Sequence, residues 1–72
     1  MKLNLEAIGW PACLIEFKRV LDDLEMRDVL EVLTKDPDIV ESIKMIAGNS
    51  DFNTIRQDRQ GSIYRVYIQK RP

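Results

Sequence analysis

The sequence lacks most of the side chains that build metal centres, disulfides and catalytic triads. Its 72 residues contain no histidine and one cysteine, Cys13. A single thiol excludes an internal disulfide, and without histidine no Cys/His cluster has the spacing of a metal site. We therefore expect no metal and no other cofactor. The scarcity of cysteine favours a reducing, cytoplasmic setting.

Long apolar runs and an excess of charge are also missing. No stretch approaches the ~20 apolar residues that cross a bilayer, and the first residues lack the apolar core of a signal peptide. The formal net charge of −1 supplies no overall field for a nucleic-acid backbone. Gly-rich phosphate loops, paired catalytic carboxylates and nucleophile–base pairs are absent. We predict a monomeric single domain over residues 1–72 that does not bind membranes, and its composition disfavours binding to nucleic acid.

The first part of the chain predicts a strand followed by a helix. Residues 2–7 alternate apolar and polar side chains, as a half-buried strand does, and Gly9 ends the strand. Pro11 suits the first position of an amphipathic helix of about four turns. Ile15 points to solvent on that helix. Its apolar arc comprises Cys13, Leu14, Phe17, Val20, Leu21 and Leu24.

A second strand and a second helix follow. Residues 28–34 are rich in β-branched and apolar side chains, which favours a strand. Asp36 can cap the next helix, and Pro37 fits its first position. Gly48 and Asn49 predict a left-handed stop at its end.

The last part predicts a hairpin and completes the order β-α-β-α-β-β. Its strands cover residues 52–57 and 63–69, and the turn between them contains Gly61. The first two strands are joined by a helix and should be parallel, whereas the hairpin adds antiparallel pairing. Both helices have one apolar stripe and should cover the same face of the sheet. The predicted fold is α+β, a two-layer α/β sandwich with two helices on one face of a four-stranded mixed sheet.

This connectivity predicts a candidate site where the two helices begin. The carboxyl ends of parallel strands lie at one edge of the sheet, so the unpaired amides of both helix starts should meet there and favour an anion. Pro11, Lys35 and Asp36 belong to this predicted anion-binding edge. Cys13 lies in the first turn of its helix, where such a field favours the nucleophilic thiolate.

Each of these residues also has a purely structural interpretation. Cys13 falls inside the apolar arc, and free cysteine is among the most buried residue types, so an inert core thiol is a strong alternative. Trp10 could be a packing lid instead of a contact for a partner protein. Asp36 could be only a helix cap, and an exposed Ile15 is at most a weak partner contact.

Two segments resemble the TusA/SirA/YedF family of small sulfur-carrier proteins. Residues 28–43, DVLEVLTKDPDIVESI, are similar to its strand, Asp-Pro turn and second helix, and residues 61–70, GSIYRVYIQK, are similar to its closing strand. The resemblance implies the same β-α-β-α-β-β fold. It also implies a Cys-Pro-x-Pro motif at the first helix, whose Cys carries sulfur as a persulfide. Here Trp10 stands at the place of that Cys, Pro11 matches the first Pro, and Cys13 stands at the second.

The resemblance leads to two hypotheses. In the first, Cys13 is the catalytic acceptor of a persulfide relay, the anion-binding edge holds the terminal sulfur, and protein donors and acceptors of sulfur dock near Trp10. In the second, the chain is a non-catalytic accessory module with a buried Cys13. Trp10, Ile15 and Lys35 then form a patch that binds a protein partner.

Nucleic-acid binding is a third and weaker hypothesis. It would use basic side chains of the hairpin and the C-terminal end. The acidic total disfavours it. The residues concerned are Arg56, Arg65, Lys70 and Arg71.

Overall fold

The computed structural model describes residues 1–72 and contains the predicted elements in the predicted order. They are β1 (Lys2–Asn4), α1 (Ala12–Asp22), β2 (Val29–Thr34), α2 (Pro37–Asn49), β3 (Phe52–Gln60) and β4 (Ile63–Lys70). The four strands form one mixed sheet, which confirms the predicted α+β class.

The strand order in the sheet is β1-β2-β4-β3. β1 is parallel to β2, with Leu3 opposite Val32, and β4 is antiparallel to both of its neighbours. Because β1 and β2 are parallel, both chains leave the sheet at the same edge, and α1 and α2 begin there. The connectivity thus places the two helix starts together, as predicted.

The core lies between the sheet and the two helices. Alternate residues of β2, Leu30 and Val32, are fully buried and point to the helix side, as expected of a half-buried strand. The complete set of buried apolar side chains is Leu5, Cys13, Phe17, Leu21, Leu24, Leu30, Val32, Ile39, Val40, Ile43, Ala47, Phe52, Val66 and Ile68.

The first strand is shorter than predicted. β1 ends at Asn4, because the Asn4 side-chain Oδ1 accepts a hydrogen bond of 2.9 Å from the backbone N–H of Glu6 and turns the chain. Residues 5–7 therefore leave the strand, although Leu5 remains buried. Glu6 thereby moves from the expected outer face of a strand to the edge where the helices begin.

The end of α2 also differs from the prediction. The helix continues through Gly48 to Asn49, and the left-handed residue is Asp51, with φ of 66°. Gly48 therefore does not stop the helix. Its carbonyl instead accepts a hydrogen bond of 2.6 Å from the Arg71 guanidinium, which also donates to the carbonyl of Phe52 at 3.3 Å.

The hairpin strands are longer than predicted, and the turn is tighter. β3 continues to Gln60, so the turn is formed by Gly61, with φ of 62°, and Ser62. β3 pairs only with β4 and forms an edge of the sheet. Its pairing is interrupted by a bulge between Thr54 and Arg56, where the side chain of Ile55 is exposed.

Candidate functional site

The two helix starts and the carboxyl ends of β1 and β2 surround a pocket of about 140 Å³. Four residues singled out by the sequence line it: Trp10, Cys13, Lys35 and Asp36. Pro11 and Ile15 are not among its lining residues. The fold therefore brings most of the predicted site together, at the predicted edge of the sheet.

Cys13 forms part of the pocket wall but is almost completely covered. Only 2% of the residue is exposed, and it belongs to the apolar core. Its backbone N–H donates a hydrogen bond of 3.0 Å to the carbonyl of Gly9, so this first-turn amide has a partner. The burial is that expected of a core thiol, and a catalytic role for Cys13 stays a prediction.

The start of α2 is closed by its own cap. Asp36 Oδ1 accepts a hydrogen bond of 2.9 Å from the N–H of Asp38, and the Asp36 carbonyl accepts from the N–H groups of Ile39 and Val40. Pro37 has no N–H to offer. The first amides of α2 are therefore already paired within the chain, and the carboxylate of Asp36 takes the place that an external anion would need.

The start of α1 is built differently. Pro11 is the N-cap residue, one position earlier than predicted, and provides no side-chain cap. Its carbonyl accepts hydrogen bonds from the N–H groups of Leu14 and Ile15, and the peptide bond between Trp10 and Pro11 is cis. Ala12 is the one residue of the first turn whose amide has no protein acceptor. This helix start is consequently the more open of the two.

The rim of the pocket is more acidic than the sequence suggested. Glu6 lines it together with Asp36, and the single cation is Lys35, whose Nζ lies 3.9 Å from Glu6 Oε1. Two carboxylates and one ammonium group leave a net negative charge. Glu6 is a site residue that the sequence reasoning missed, and the turn-forming Asn4 two positions earlier is the signal that could have placed it.

A buried hydroxyl also lines the pocket. Thr34 is 3% exposed, and its Oγ1 accepts a hydrogen bond of 3.2 Å from the N–H of Asp36. This bond fixes the chain between the end of β2 and the cap of α2. The alternation of β2 places Thr34 on the buried face, so the sequence contained this information.

Trp10 and Ile15 are the two exposed apolar side chains near the start of α1. Trp10 is 73% exposed at the mouth of the pocket, which is incompatible with a packing lid. Ile15 is 69% exposed and lies on the helix outside the pocket. Exposed aromatic side chains beside a cavity are typical of surfaces that bind proteins.

Comparison with known protein families identifies the family to which the chain belongs. The family described as "Sulfurtransferase TusA" matches residues 2–70. The chain belongs to the TusA family. Membership of the TusA family supports a role in sulfur transfer in general, together with interaction with sulfur-relay proteins.

A solved structure agrees with this assignment at the level of the fold. HP1264 from Helicobacter pylori, known from a solution structure, superimposes with a TM-score of 0.74. The two proteins share 7% sequence identity, and the match covers 99% of this chain and 97% of HP1264. At so low an identity the likeness shows the fold alone. No curated protein sequence matches this TusA-family chain at a significant level.

Three of the four basic side chains considered for nucleic-acid binding have partners within this TusA-family chain. Arg65 Nε donates to Asp58 Oδ1 at 2.7 Å, and the Arg71 guanidinium donates to the backbone carbonyls of Gly48 and Phe52. The Arg56 guanidinium lies over the ring of Tyr67, 5.4 Å from its centre. These internal contacts reduce the positive charge that is free to meet a phosphate backbone.

No group of three or more His, Cys, Asp or Glu side chains is arranged to hold a metal ion. No helix combines the length and the apolar character needed to span a membrane.

Proposed function

We propose that this TusA-family chain acts in sulfur transfer as a protein-binding module that docks a sulfur-relay protein at the mouth of the pocket. The observation that carries the proposal is the contrast between two neighbouring side chains. Cys13 is buried, whereas Trp10, at the place of the family's motif Cys, is largely exposed. In this proposal Cys13 is a structural residue of the core.

The burial of Cys13 bears directly on chemistry. Sulfur moves between proteins when a thiolate attacks a sulfur atom in line with the bond that breaks, which requires contact between the two sulfur atoms. A thiol at 2% exposure makes that contact only after part of the structure opens. The resting structure therefore supports a role in docking more than a role in carrying sulfur.

Trp10 offers a suitable anchor for a partner. Large, rigid aromatic side chains lose little conformational freedom when they bind, and they dominate the energy of many interfaces. Ile15 adds a second exposed apolar side chain on α1, and Lys35 adds a cation at the rim. Together these residues form the proposed docking surface.

The accessibility of the thiol tests the structural role of Cys13. We expect a thiol reagent to modify Cys13 at least about a thousandfold more slowly in the folded protein than in urea, because labelling must wait for opening. The control is a variant with Cys13→Ala and Ile15→Cys, which carries its thiol at an exposed position of the same helix. Rapid labelling of the wild-type protein, at the rate of this control, would contradict the proposal.

The docking role is tested with a purified sulfur-donor protein from the same organism. We expect Trp10→Ala to weaken its binding by about tenfold or more, as truncation of an interface anchor does. Met45→Ala serves as the control because Met45 is a similarly exposed apolar residue on α2. Equal affinities for the wild-type protein and both variants would show that docking does not use this surface.

Persulfide transfer through Cys13 is the second candidate function, because Cys13 lines the pocket. In that reaction the Cys13 thiolate attacks the outer sulfur of a donor persulfide. A new S–S bond forms on Cys13, the donor S–S bond breaks, and the donor leaves as a thiolate. Lys35 would lie near the terminal sulfur, whereas Asp36 and Pro11 would shape the two helix starts beside it.

Intact-mass measurement after incubation with a persulfide donor separates the two candidates. Docking without sulfur transfer predicts no added sulfur atom on the wild-type chain. An adduct on the wild-type chain that is absent from Cys13→Ser would establish the relay instead. The cytoplasmic location and the monomeric state stay predictions.

A further inference from the structure

The pocket beside Trp10 combines apolar walls with a negatively charged rim. We propose that it receives a lysine or arginine side chain from the docked protein. This inference rests on the proposed docking function and specifies the chemistry of the partner. It also replaces the predicted anion-binding edge with a site for a cation.

The size and walls of the pocket fit one long side chain. Its volume of about 140 Å³ equals that of a few water molecules, which leaves no room for a folded element of a partner. Ile8 and Ile39 supply apolar surface. Lysine and arginine have long aliphatic stems that pack on such surface while the charged head stays near water.

The charges at the rim favour a cation over an anion. Glu6 and Asp36 outnumber Lys35 at the rim. Because the Asp36 side chain and carbonyl already accept hydrogen bonds from the first amides of α2, Glu6 is the carboxylate that is available to a partner's cation. The part of the chain that contains the pocket residues also has a negative net charge. Residues 1–51 carry eleven acidic and six basic side chains, whereas residues 52–72 carry one acidic and five basic.

Lys35 is a local cation that a partner's side chain could replace. Its Nζ is 3.9 Å from Glu6 Oε1, too far for a hydrogen bond, and its side chain is 62% exposed. Moving Lys35 into water therefore loses little. The exposed indole of Trp10 adds an aromatic face that attracts an ammonium or guanidinium group.

Titration with blocked amino acids tests the inference. Trp10 is the only tryptophan of the chain, so its fluorescence reports on the pocket directly. The probes are Nα-acetyl-arginine amide and Nα-acetyl-lysine amide, with the norleucine and glutamate analogues for comparison. We expect saturable binding of the two basic probes and about threefold weaker binding of the norleucine probe. An ion pair at a solvent-exposed rim changes affinity by about this factor.

Two substitutions and a control sharpen the result. We expect Glu6→Gln to weaken binding of the basic probes by about twofold to fivefold, and Lys35→Gln to strengthen it by removing the competing cation. Glu41→Gln, an exposed acidic position on α2 away from the pocket, should change nothing.

Three outcomes would overturn the inference. Norleucine amide could bind as tightly as the basic probes, the glutamate probe could bind best and lose its affinity in Lys35→Gln, or no probe could give a saturable change. None of these outcomes depends on Cys13 or on binding of the donor protein. Failure of this inference is therefore distinguishable from failure of the docking function.

Discussion

The starts of α1 and α2 lie side by side at one edge of the sheet, yet the chain closes them in different ways. At α2, Asp36 binds the N–H of Asp38 through its side chain and those of two further residues through its carbonyl. At α1, Pro11 caps without a side-chain hydrogen bond, and the amide of Ala12 has no acceptor.

The two helix starts therefore differ in how much of their surface is available to another protein. At the start of α2, hydrogen bonds within the chain involve Thr34 and Asp36 and pair the first amides of the helix. At the start of α1, the side chain of Trp10 is exposed and the amide of Ala12 has no acceptor in the protein. Water can satisfy the free amide, and a single exposed indole is tolerated on a surface, so both groups remain available to a partner. In the proposed function, α1 presents the docking surface and α2 supports it.

The largest expected effect concerns the buried side of α1. We expect Cys13→Ser to lower the free energy of unfolding by about 2 kcal/mol, because it places a hydroxyl without a partner in the apolar core. Urea unfolding measures the change. Ile15→Ser, on the exposed side of the same helix, should cost less than about 0.5 kcal/mol. Similar costs for the two substitutions would mean that the thiol is not enclosed.

A smaller effect is expected at the capped start of α2. Asp36→Ala should lower the free energy of unfolding by about 1 kcal/mol through loss of the side-chain cap, and Asp36→Asn should retain most of it. Thermal or urea unfolding gives both values. Asp38→Ala removes a charge from the same turn without removing a cap and should cost about 0.5 kcal/mol. If Asp36→Ala costs no more than this control, the cap is not what closes α2.

The smallest effect lies on the exposed surface of α1. Arg19 donates hydrogen bonds to Glu16 and holds the pKa of that carboxyl below its ordinary value of 4.5. A lowered pKa in the folded state stabilises the fold above the unfolded value, and this contribution disappears as the pH falls through the folded pKa. Melting temperatures between about pH 3 and about pH 6 should therefore fall more steeply for the wild-type protein than for Glu16→Gln. Parallel curves would show that the pair contributes nothing.

The order of elements and the location of the pocket at the two helix starts could be predicted because they follow from periodicity and connectivity. A change of period at Pro11 separates β1 from α1, and a parallel pair of strands obliges both helices to begin at one edge. Asp36 followed by Pro37 is a strong local signal for a helix start, and the structure contains it as predicted.

Other features could not be predicted because local sequence signals compete with contacts that form only in the folded chain. Glycine is a common helix-stop residue, but α2 continues through Gly48 to Asn49, and the Gly48 carbonyl accepts a hydrogen bond from Arg71, 23 positions later. The turn at Asn4 shortened β1 and brought Glu6 to the pocket. The exposure of Cys13 could not be predicted either. Its position belongs to the apolar arc of the helix, which predicts burial, and to the first helical turn, which is compatible with a reactive thiol.

The bulge at Ile55 bears on how these molecules behave at high concentration. A long, flat outer strand invites pairing with the same strand of a neighbouring molecule, and such pairing is the first step toward fibres. The extra residue in β3 bends that strand, and Arg56 and Asp58 place charged side chains at and just after its middle. A strand added from outside would meet a curved and charged border, so both the shape and the charge of this edge disfavour such pairing.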